Sequence, residues 1–206
     1  VVKLQLATQV SGNQGIYGKL PFEAQYCYRP RLEAEIRDSL AEHAQFEVEA
    51  LQSLLNALKP VWQKHGQPCP YGVLLLADGD RMGELLDRAG KIEDHQAITK
   101  ALSGFAGGVA EIVRKHEGHC VYAGGDDVLA FVPLNTSLDC AKELSKSFKD
   151  KLAEIAKKLK ADKPPTLSVG LAIAHIMEPL GYIRDLAAKA EKAAKGDHCP
   201  AEHQRN

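Results

Sequence analysis

The sequence predicts an α+β fold in which an antiparallel sheet carries packed helices and is preceded by a smaller, mainly helical region. In the second part of the chain, short apolar runs and amphipathic segments follow one another in the order β-α-α-β-β-α-β-α. Two of the predicted strands are joined by the segment GGDD, which predicts a central hairpin. Four strands and helices in this order form a ferredoxin-like or palm sheet.

The composition is that of a globular protein, because 45% of the 206 residues are hydrophobic and 26% are charged. The formal net charge of −1 neither favours nor excludes a nucleic-acid partner. Five cysteines without a CxxC pair support neither a disulfide framework nor a zinc site, so we expect a reduced, cytoplasmic setting. No apolar run approaches the length of a membrane span, and we expect no membrane partner.

The first part of the chain predicts loops, helices and a linker. Residues 1–30 mix short apolar pieces with Gly, Asn and Pro, which predicts loops and one short strand. Residues 31–58 contain no Gly or Pro and have apolar residues near helical spacing, which predicts one or two helices. Residues 59–70 hold three prolines and a glycine, which is typical of a linker. We therefore place a mainly helical region at 1–67 and a second domain at 68–206.

The second domain shows a sharper pattern. Its apolar runs between turn residues predict strands, and its longer amphipathic segments predict helices. The predicted strands are 71–77, 119–123, 128–134 and 166–175. The predicted helices are a short one after the DGD segment, then 95–118, 137–161 and 180–195. Lysines dominate the outer side of the third helix, where a solvated face is the default and an RNA or protein contact is the alternative.

The segment AGGDDVLAFVP places two aspartates behind two glycines between apolar runs. Gly124 and Gly125 permit positive φ and a close approach to the backbone. A tight turn would bring Asp126 and Asp127 to the end of the first strand, where Asp78 lies, and the sequence positions no cation among these carboxylates. Such oxygen ligands suit Mg²⁺ or Mn²⁺. Two such ions about 3.5–4 Å apart can activate a 3′-hydroxyl and stabilise a leaving pyrophosphate.

A simpler interpretation exists for each of these acids. An isolated GGDD is most often a turn with solvated acids, and Asp78 or Asp80 at a strand-to-helix junction is most often an N-cap. The combination is harder to obtain by chance, because a strand ends in DGD, two helices follow, and a hairpin then turns on GGDD.

The segments PYGVLLLADGDRMGELL, VYAGGDDVLAFVPL and LSVGLAIAHIMEPL resemble a known family. They look like the second palm domain of the large signature subunit (the Cas-ten family, Cmr-type) of type III CRISPR effector complexes, closest to the B subtype. The resemblance covers residues 68–206. More distantly, the layout is similar to GGDEF diguanylate cyclases and class III nucleotide cyclases. Asp127 replaces the GGDEF glutamate and Val128 the phenylalanine, which argues against a diguanylate cyclase.

The resemblance implies an ATP-using nucleotidyltransferase that makes 3′–5′ oligoadenylate, usually cyclic, when an RNA-guided antiviral complex binds its target RNA. The implied partners are ATP, the other subunits, a neighbouring palm domain and, indirectly, guide and target RNA. Two Mg²⁺ or Mn²⁺ ions would be held by Asp78, Asp126 and Asp127, of which the GGDD pair is catalytic. Asp80, which matches the second acid of the DGD motif, is a further candidate metal ligand. The backbone around Gly79 would complete the metal site, and Gly124 and Gly125 would let the nucleotide pass.

Two further residues are predicted to bind the nucleotide. Lys195 ends the last helix, where related cyclases have a lysine that touches triphosphate; the alternative is a helix C-terminal lysine that interacts with the helix dipole. Ser168 lies on a strand beside the site and either contacts a base or ribose or is a small strand residue. Two other functions stay open, namely a nucleotide-binding scaffold without turnover and a diguanylate or mononucleotide cyclase.

Overall fold

The computed structural model describes residues 24–196, and the chain divides into two compact units between Pro70 and Tyr71. The prediction of loops and one short strand for residues 1–30 falls outside the described residues as far as residue 23. For residues 24–30 it is wrong, because most of these residues are helical. The described part begins with a short 3-10 helix, Ala24–Cys27, that leads into the first α-helix.

The first unit contains helix α1 (Arg29–Ala41) and helix α2 (Gln45–His65). α1 begins with proline in its first turn, where a missing N–H costs nothing. The small core of this unit forms where the 3-10 helix and α1 meet α2. The buried members are Tyr26, Leu32 and Ile36, and the partly buried side chains against them are Leu51, Leu54, Leu55, Leu58 and Trp62.

The linker predicted for residues 59–70 is wrong in its first half, because α2 continues through Pro60 to His65. Proline in a helix interior removes one backbone hydrogen bond and normally kinks or ends the helix. Here tertiary contacts favour continuation, since Trp62 packs against the core of this unit and its Nε1 donates a hydrogen bond to the Cys27 carbonyl at 3.1 Å. The helix ends at Gly66, which has a φ of +77°.

The second unit alternates strands and helices in the predicted order. Its elements are β1 (Tyr71–Asp80), α3 (Met82–Asp87), α4 (Ile92–Lys115), β2 (His119–Gly124), β3 (Asp127–Pro133), α5 (Ser137–Lys158), β4 (Thr166–His175) and α6 (Leu180–Ala194).

In the described residues the four strands form one antiparallel sheet with the order β2-β3-β1-β4. This arrangement confirms the α+β prediction with a central hairpin beside the first strand. β1 is three residues longer than predicted, because Asp78, Gly79 and Asp80 continue to pair with β4. The two acids of the DGD segment therefore lie in the strand and not after it.

The helices cover the two faces of the sheet unequally. Alternate side chains of β1 point to opposite faces, so Val73, Leu75 and Ala77 join the larger core under α4 and α5. Within that core, Phe105 and Phe148 pack edge to face with ring centroids 5.0 Å apart. Leu74 and Leu76 lie on the opposite face with residues of α6. None of the described helices is long and apolar enough to cross a membrane.

Candidate active site at the central hairpin

The turn of the central hairpin places two carboxylates at one tip. Gly124 pairs with Asp127, so Gly125 and Asp126 form a two-residue turn. Gly125 has a φ of +66°, whereas Asp126 is not among the residues with positive φ, which is the pattern of a type II′ hairpin turn with glycine leading. The glycine thus avoids the strain that a side chain would meet there.

The third carboxylate comes from the neighbouring strand. Ala77 and Val128 are the last paired residues of β1 and β3, so Asp78 and Asp127 come next on both strands. Asp127 lies on the same face as Leu129, and Asp78 on the same face as Leu76, which is the face that carries α6. The structure therefore brings together the three aspartates that the sequence analysis singled out.

Gly79 lets the turn approach β1. A Cβ added at Gly79 would lie 2.7 Å from the Cβ of Asp126 and 2.8 Å from its Oδ2. Side-chain atoms do not approach that closely, so no other residue fits without movement of the hairpin. The role predicted for the Gly79 backbone in a metal site stays a prediction, but the close approach gives the glycine a physical reason.

The hairpin acids carry more negative charge than their surroundings balance. Burial raises the pKa of Asp126, and the charge of Asp78 adds to the effect. Burial also raises the pKa of Asp127, with further contributions from Asp78 and Asp126. These shifts indicate a site where additional positive charge would be favourable.

Lys195 supplies part of that charge, which corrects the expectation that no cation lies among the carboxylates. It is the C-cap of α6, and its ammonium group pairs with Asp78 Oδ2 and lies 2.8 Å from Glu191 Oε1. Burial lowers the pKa of Lys195, but its contacts with Asp78 and Glu191 outweigh burial and the net pKa is raised. The sequence missed this pairing because it depends on where α6 crosses the sheet.

Asp80 faces β4 and has its own partners. Thr166 Oγ1 donates a hydrogen bond to Asp80 Oδ2 at 2.7 Å, and the buried Ser168 hydroxyl lies 2.8 Å from the same oxygen and 2.9 Å from Oδ1. The N-cap alternative for Asp78 and Asp80 is wrong, because Arg81, with a φ of 60°, occupies that position of α3. Asp80 joins β1 to β4 here, and its metal role stays a prediction, as does base or ribose contact by Ser168.

No three His, Cys, Asp or Glu side chains within residues 24–196 are arranged to hold a metal ion. The contacts above explain this, since Lys195 covers Asp78 and the carboxylate of Asp80 is directed to hydroxyls of β4. The chemistry of the cluster nevertheless fits a divalent cation. Asp78, Asp126 and Asp127 offer hard oxygen ligands, and burial, together with the charge of neighbouring carboxylates, raises the pKa of Asp126 and Asp127.

Three residues that the sequence analysis missed shape the site. Glu191 could have been noticed as the partner of a lysine four residues later in the segment EKAAK. Gly170 could have been noticed as a glycine inside a strand pattern, which often marks a close backbone approach. Thr166 gave no signal, because its contact with Asp80 depends on the register between β1 and β4.

An antiparallel sheet in this order, with acids on its hairpin turn and at the end of the adjoining central strand, defines a palm domain. A family model described as Cas10/Cmr2, second palm domain, matches residues 71–203. The chain belongs to this family.

One curated relative and two solved structures illustrate what the chain is similar to. The CRISPR system Cmr subunit Cmr2 of Pyrococcus furiosus is 29% identical over 178 residues, which are 74% of this chain and 20% of the relative. The crystal structure of Csm1 in T.onnurineus aligns with a TM-score of 0.51 at 19% identity, over 62% of this chain and 20% of that one. A Csm1–Csm4 cassette in complex with cA4 aligns with a TM-score of 0.50 at 18% identity, over the same shares. The chain spans about a fifth of the length of these relatives.

Proposed function

We propose that this palm domain is an ATP-using nucleotidyltransferase of a type III CRISPR complex, which makes 3′–5′ oligoadenylate, usually cyclic, when the complex binds target RNA. The relative from Pyrococcus furiosus is a Cmr subunit, and the similar Csm1–Csm4 cassette was solved with cA4. The proposed partners are therefore ATP, the other subunits, a neighbouring palm domain and, through the complex, guide and target RNA.

One observation carries the proposal, namely the meeting of Asp78, Asp126 and Asp127 at the hairpin turn. Clustered carboxylates with raised pKa values cost free energy in a domain that only folds, because charge is brought together and partly removed from water. A glycine that allows this approach, Gly79, lies directly beneath Asp126. A site that binds cations and phosphate gives the cluster a use.

The residues of the chain then have separate roles. Asp126 and Asp127 would hold Mg²⁺ or Mn²⁺ from the hairpin, and Asp78 would hold it from β1. Ions bound there would neutralise charge on the triphosphate and favour deprotonation of the attacking 3′-hydroxyl. Lys195, once it leaves Asp78, lies close enough to the cluster to pair with phosphate oxygens. Gly125 keeps side chains away from the tip of the turn.

The direct test is the double variant Asp126→Ala with Asp127→Ala. The turn is partly exposed and carries little packing energy, so the variant should keep its fold and lose oligoadenylate formation. The measurement is product formation from ATP and Mn²⁺ by the complete complex with target RNA, separated by chromatography. Asp185→Asn, an exposed acid on α6, is the matched control. Wild-type product levels from a well-folded double variant would contradict the proposal.

A nucleotide-binding scaffold without turnover is the second candidate, and a specific observation favours it. Lys195 already pairs with Asp78, and no three-ligand metal group is present in the described residues. A scaffold of this kind would bind ATP without converting it to product. An enzyme would release pyrophosphate and form oligoadenylate from ATP and Mn²⁺ in the complete complex with target RNA, so analysis of the products separates the two.

A further inference from the structure

Glu191 is placed where a carboxylate is unfavourable in two respects. Its side chain is only 9% exposed, so it has lost most of its hydration. It lies in the last turn of α6, where the helix dipole disfavours negative charge. Its Oε1 lies 2.8 Å from the Lys195 ammonium, which supplies the opposite charge. A side chain kept under these conditions needs a compensating role.

The packing of α6 on β4 fixes the position of Glu191. A Cβ added at Gly170 would meet the Ala187 carbonyl oxygen and the backbone N of Glu191, and would lie 2.9 Å from the Glu191 Cα. Gly170 is paired with Leu76, two residues before Asp78 on the same face of β1. The backbone contact therefore delivers the Glu191 carboxylate to the sheet beside the carboxylate cluster.

Glu191 and Asp78 share one ammonium group. Lys195 pairs with both carboxylates. The Asp78 side chain is 37% exposed, whereas the Glu191 side chain is 9% exposed. Of the two acids, Asp78 is thus the one that solvent and ligands can reach, whereas Glu191 is enclosed. A ligand that takes over Asp78 would leave Lys195 attached to Glu191 alone.

We propose that Glu191 is a positioning residue that keeps the Lys195 ammonium at the carboxylate cluster. With a cation held at Asp78, Lys195 would pair with a phosphate oxygen of the nucleotide while it remains paired with Glu191. The phosphate part of this inference rests on the proposed function. The anchoring part concerns the chain alone and can be tested without nucleotide.

Electrostatics and positioning predict opposite results for Glu191→Gln. If the carboxylate acted only through its charge, its removal near a triphosphate would strengthen ATP binding or leave it unchanged. If it positions Lys195, the variant weakens ATP binding, because the ammonium is no longer held at the cluster. The sign of the change therefore identifies the role.

The first experiment measures ATP affinity in the presence of Mn²⁺ by calorimetric titration of the 206-residue chain. Glu191→Gln should weaken binding by about fivefold to tenfold. In a Lys195→Met background the same substitution should have no further effect, because Glu191 acts through that lysine. The affinity for adenosine should be the same in Glu191→Gln and wild type, since adenosine has no phosphate. The control variant Asp185→Asn should bind ATP as wild type does.

The second experiment measures how fast Lys195 reacts with an acetylating reagent, by mass spectrometry and without nucleotide. The 75% exposed Lys142 on α5 is the internal reference. Glu191→Gln should speed the labelling of Lys195 about fivefold relative to Lys142 at an unchanged Tm, because the ammonium loses its enclosed partner. If Glu191→Gln does not fold, Glu191→Asp replaces it, because it keeps the charge on a shorter side chain. Lys195 should then be labelled faster than in wild type, but by less than fivefold.

Each outcome decides one of the two ideas. Unchanged labelling of Lys195 in folded Glu191→Gln protein overturns the anchor. ATP binding that is equal or tighter in this variant, with wild type binding normally, overturns the phosphate part. If wild type binds no ATP, the proposed function fails, and the labelling result alone decides whether Glu191 holds Lys195.

Discussion

Gly79 is the single residue on which the approach of the hairpin to β1 depends. Alanine there would bring its Cβ within 2.7 Å of the Asp126 Cβ, so the turn must move away from Asp78. We expect Gly79→Ala to weaken Mn²⁺-dependent ATP binding at least about tenfold, which is about 1.4 kcal/mol. The fold should persist, because Gly79 has no positive φ and tolerates an alanine backbone. Titration of ATP and a thermal melt check the two expectations.

Gly72 provides the control for this substitution. It lies on the same strand, and a Cβ there meets nothing within 4 Å. Gly72→Ala should therefore bind ATP as wild type does. Equal affinities for the two alanine variants would show that the contact between Gly79 and Asp126 does not shape the site.

The hairpin acids should make the metal-free protein less stable as pH rises. Burial and neighbouring charge raise the pKa of Asp126 and Asp127. A raised carboxyl pKa favours the folded state at pH below the ordinary carboxyl range, and this contribution is lost as pH rises through the folded pKa. We expect the double variant Asp126→Asn with Asp127→Asn to increase the Tm of the metal-free protein at pH 7, because the repulsion between the acids is removed. The increase should be only about 2–4 °C, since solvent screens the charge of the exposed Asp127.

Thermal melts with a chelator, run from pH 4 to pH 7, measure this effect (the pH values mark roughly the ends of the carboxyl titration). The difference between variant and wild type should grow with pH, whereas Asp185→Asn should show no such trend. If the Tm of the double variant instead fell further below that of wild type as the pH rose, the acids would make favourable contacts in the folded chain without metal.

At the scale of elements, α6 and β4 touch through their backbones. The contact at Gly170 leaves no space for a side chain, because the obstacles are the Ala187 carbonyl and the Glu191 backbone, which cannot turn aside. Gly170→Ala should therefore cost about 1–3 kcal/mol of unfolding free energy, as overpacked cores do. It should also weaken ATP binding, because the end of α6 carries Lys195 to the site.

Gly181 is the matched position on α6 itself. A Cβ there meets nothing within 4 Å, and alanine favours the helix over glycine by about 0.5–1 kcal/mol. Gly181→Ala should thus be neutral or slightly stabilising in urea unfolding. If the two variants lost the same stability, the contact of Gly170 with α6 would not be the cause of the loss.

The elements also show how much of the fold and of the site could be predicted from the sequence. The order of elements along the chain and the meeting of Asp78 with the GGDD pair followed from apolar runs and turn residues, which are local signals. The continuation of α2 through Pro60 could not be predicted in this way, because the packing of Trp62 outweighs the local tendency of proline to end a helix. The pairing of Lys195 with Asp78 could not be predicted from local signals either, since it joins residues that are far apart in the chain.

At the scale of the whole molecule, the choice of base tests which chemistry the domain performs. Adenine offers an N6 donor where guanine offers an O6 acceptor, so a site built for one leaves polar groups unpaired with the other. We expect ATP to bind more tightly than GTP, by about tenfold or more. Competition titration with Mn²⁺ is the measurement. Equal affinities would remove the adenine assignment, and tighter GTP binding would favour a diguanylate cyclase.

The position of β1 inside the sheet has a consequence for biosynthesis. β1 is made before the other strands, yet it lies between β3 and β4, and Tyr71 pairs with a residue as distant as His175. Folding that depends on such distant pairs is slow. Until β4 leaves the ribosome, one edge of the apolar β1 strand has no partner and is open to other chains. A chain that ends at residue 165 should therefore form aggregates that light scattering detects, whereas the 206-residue chain should not.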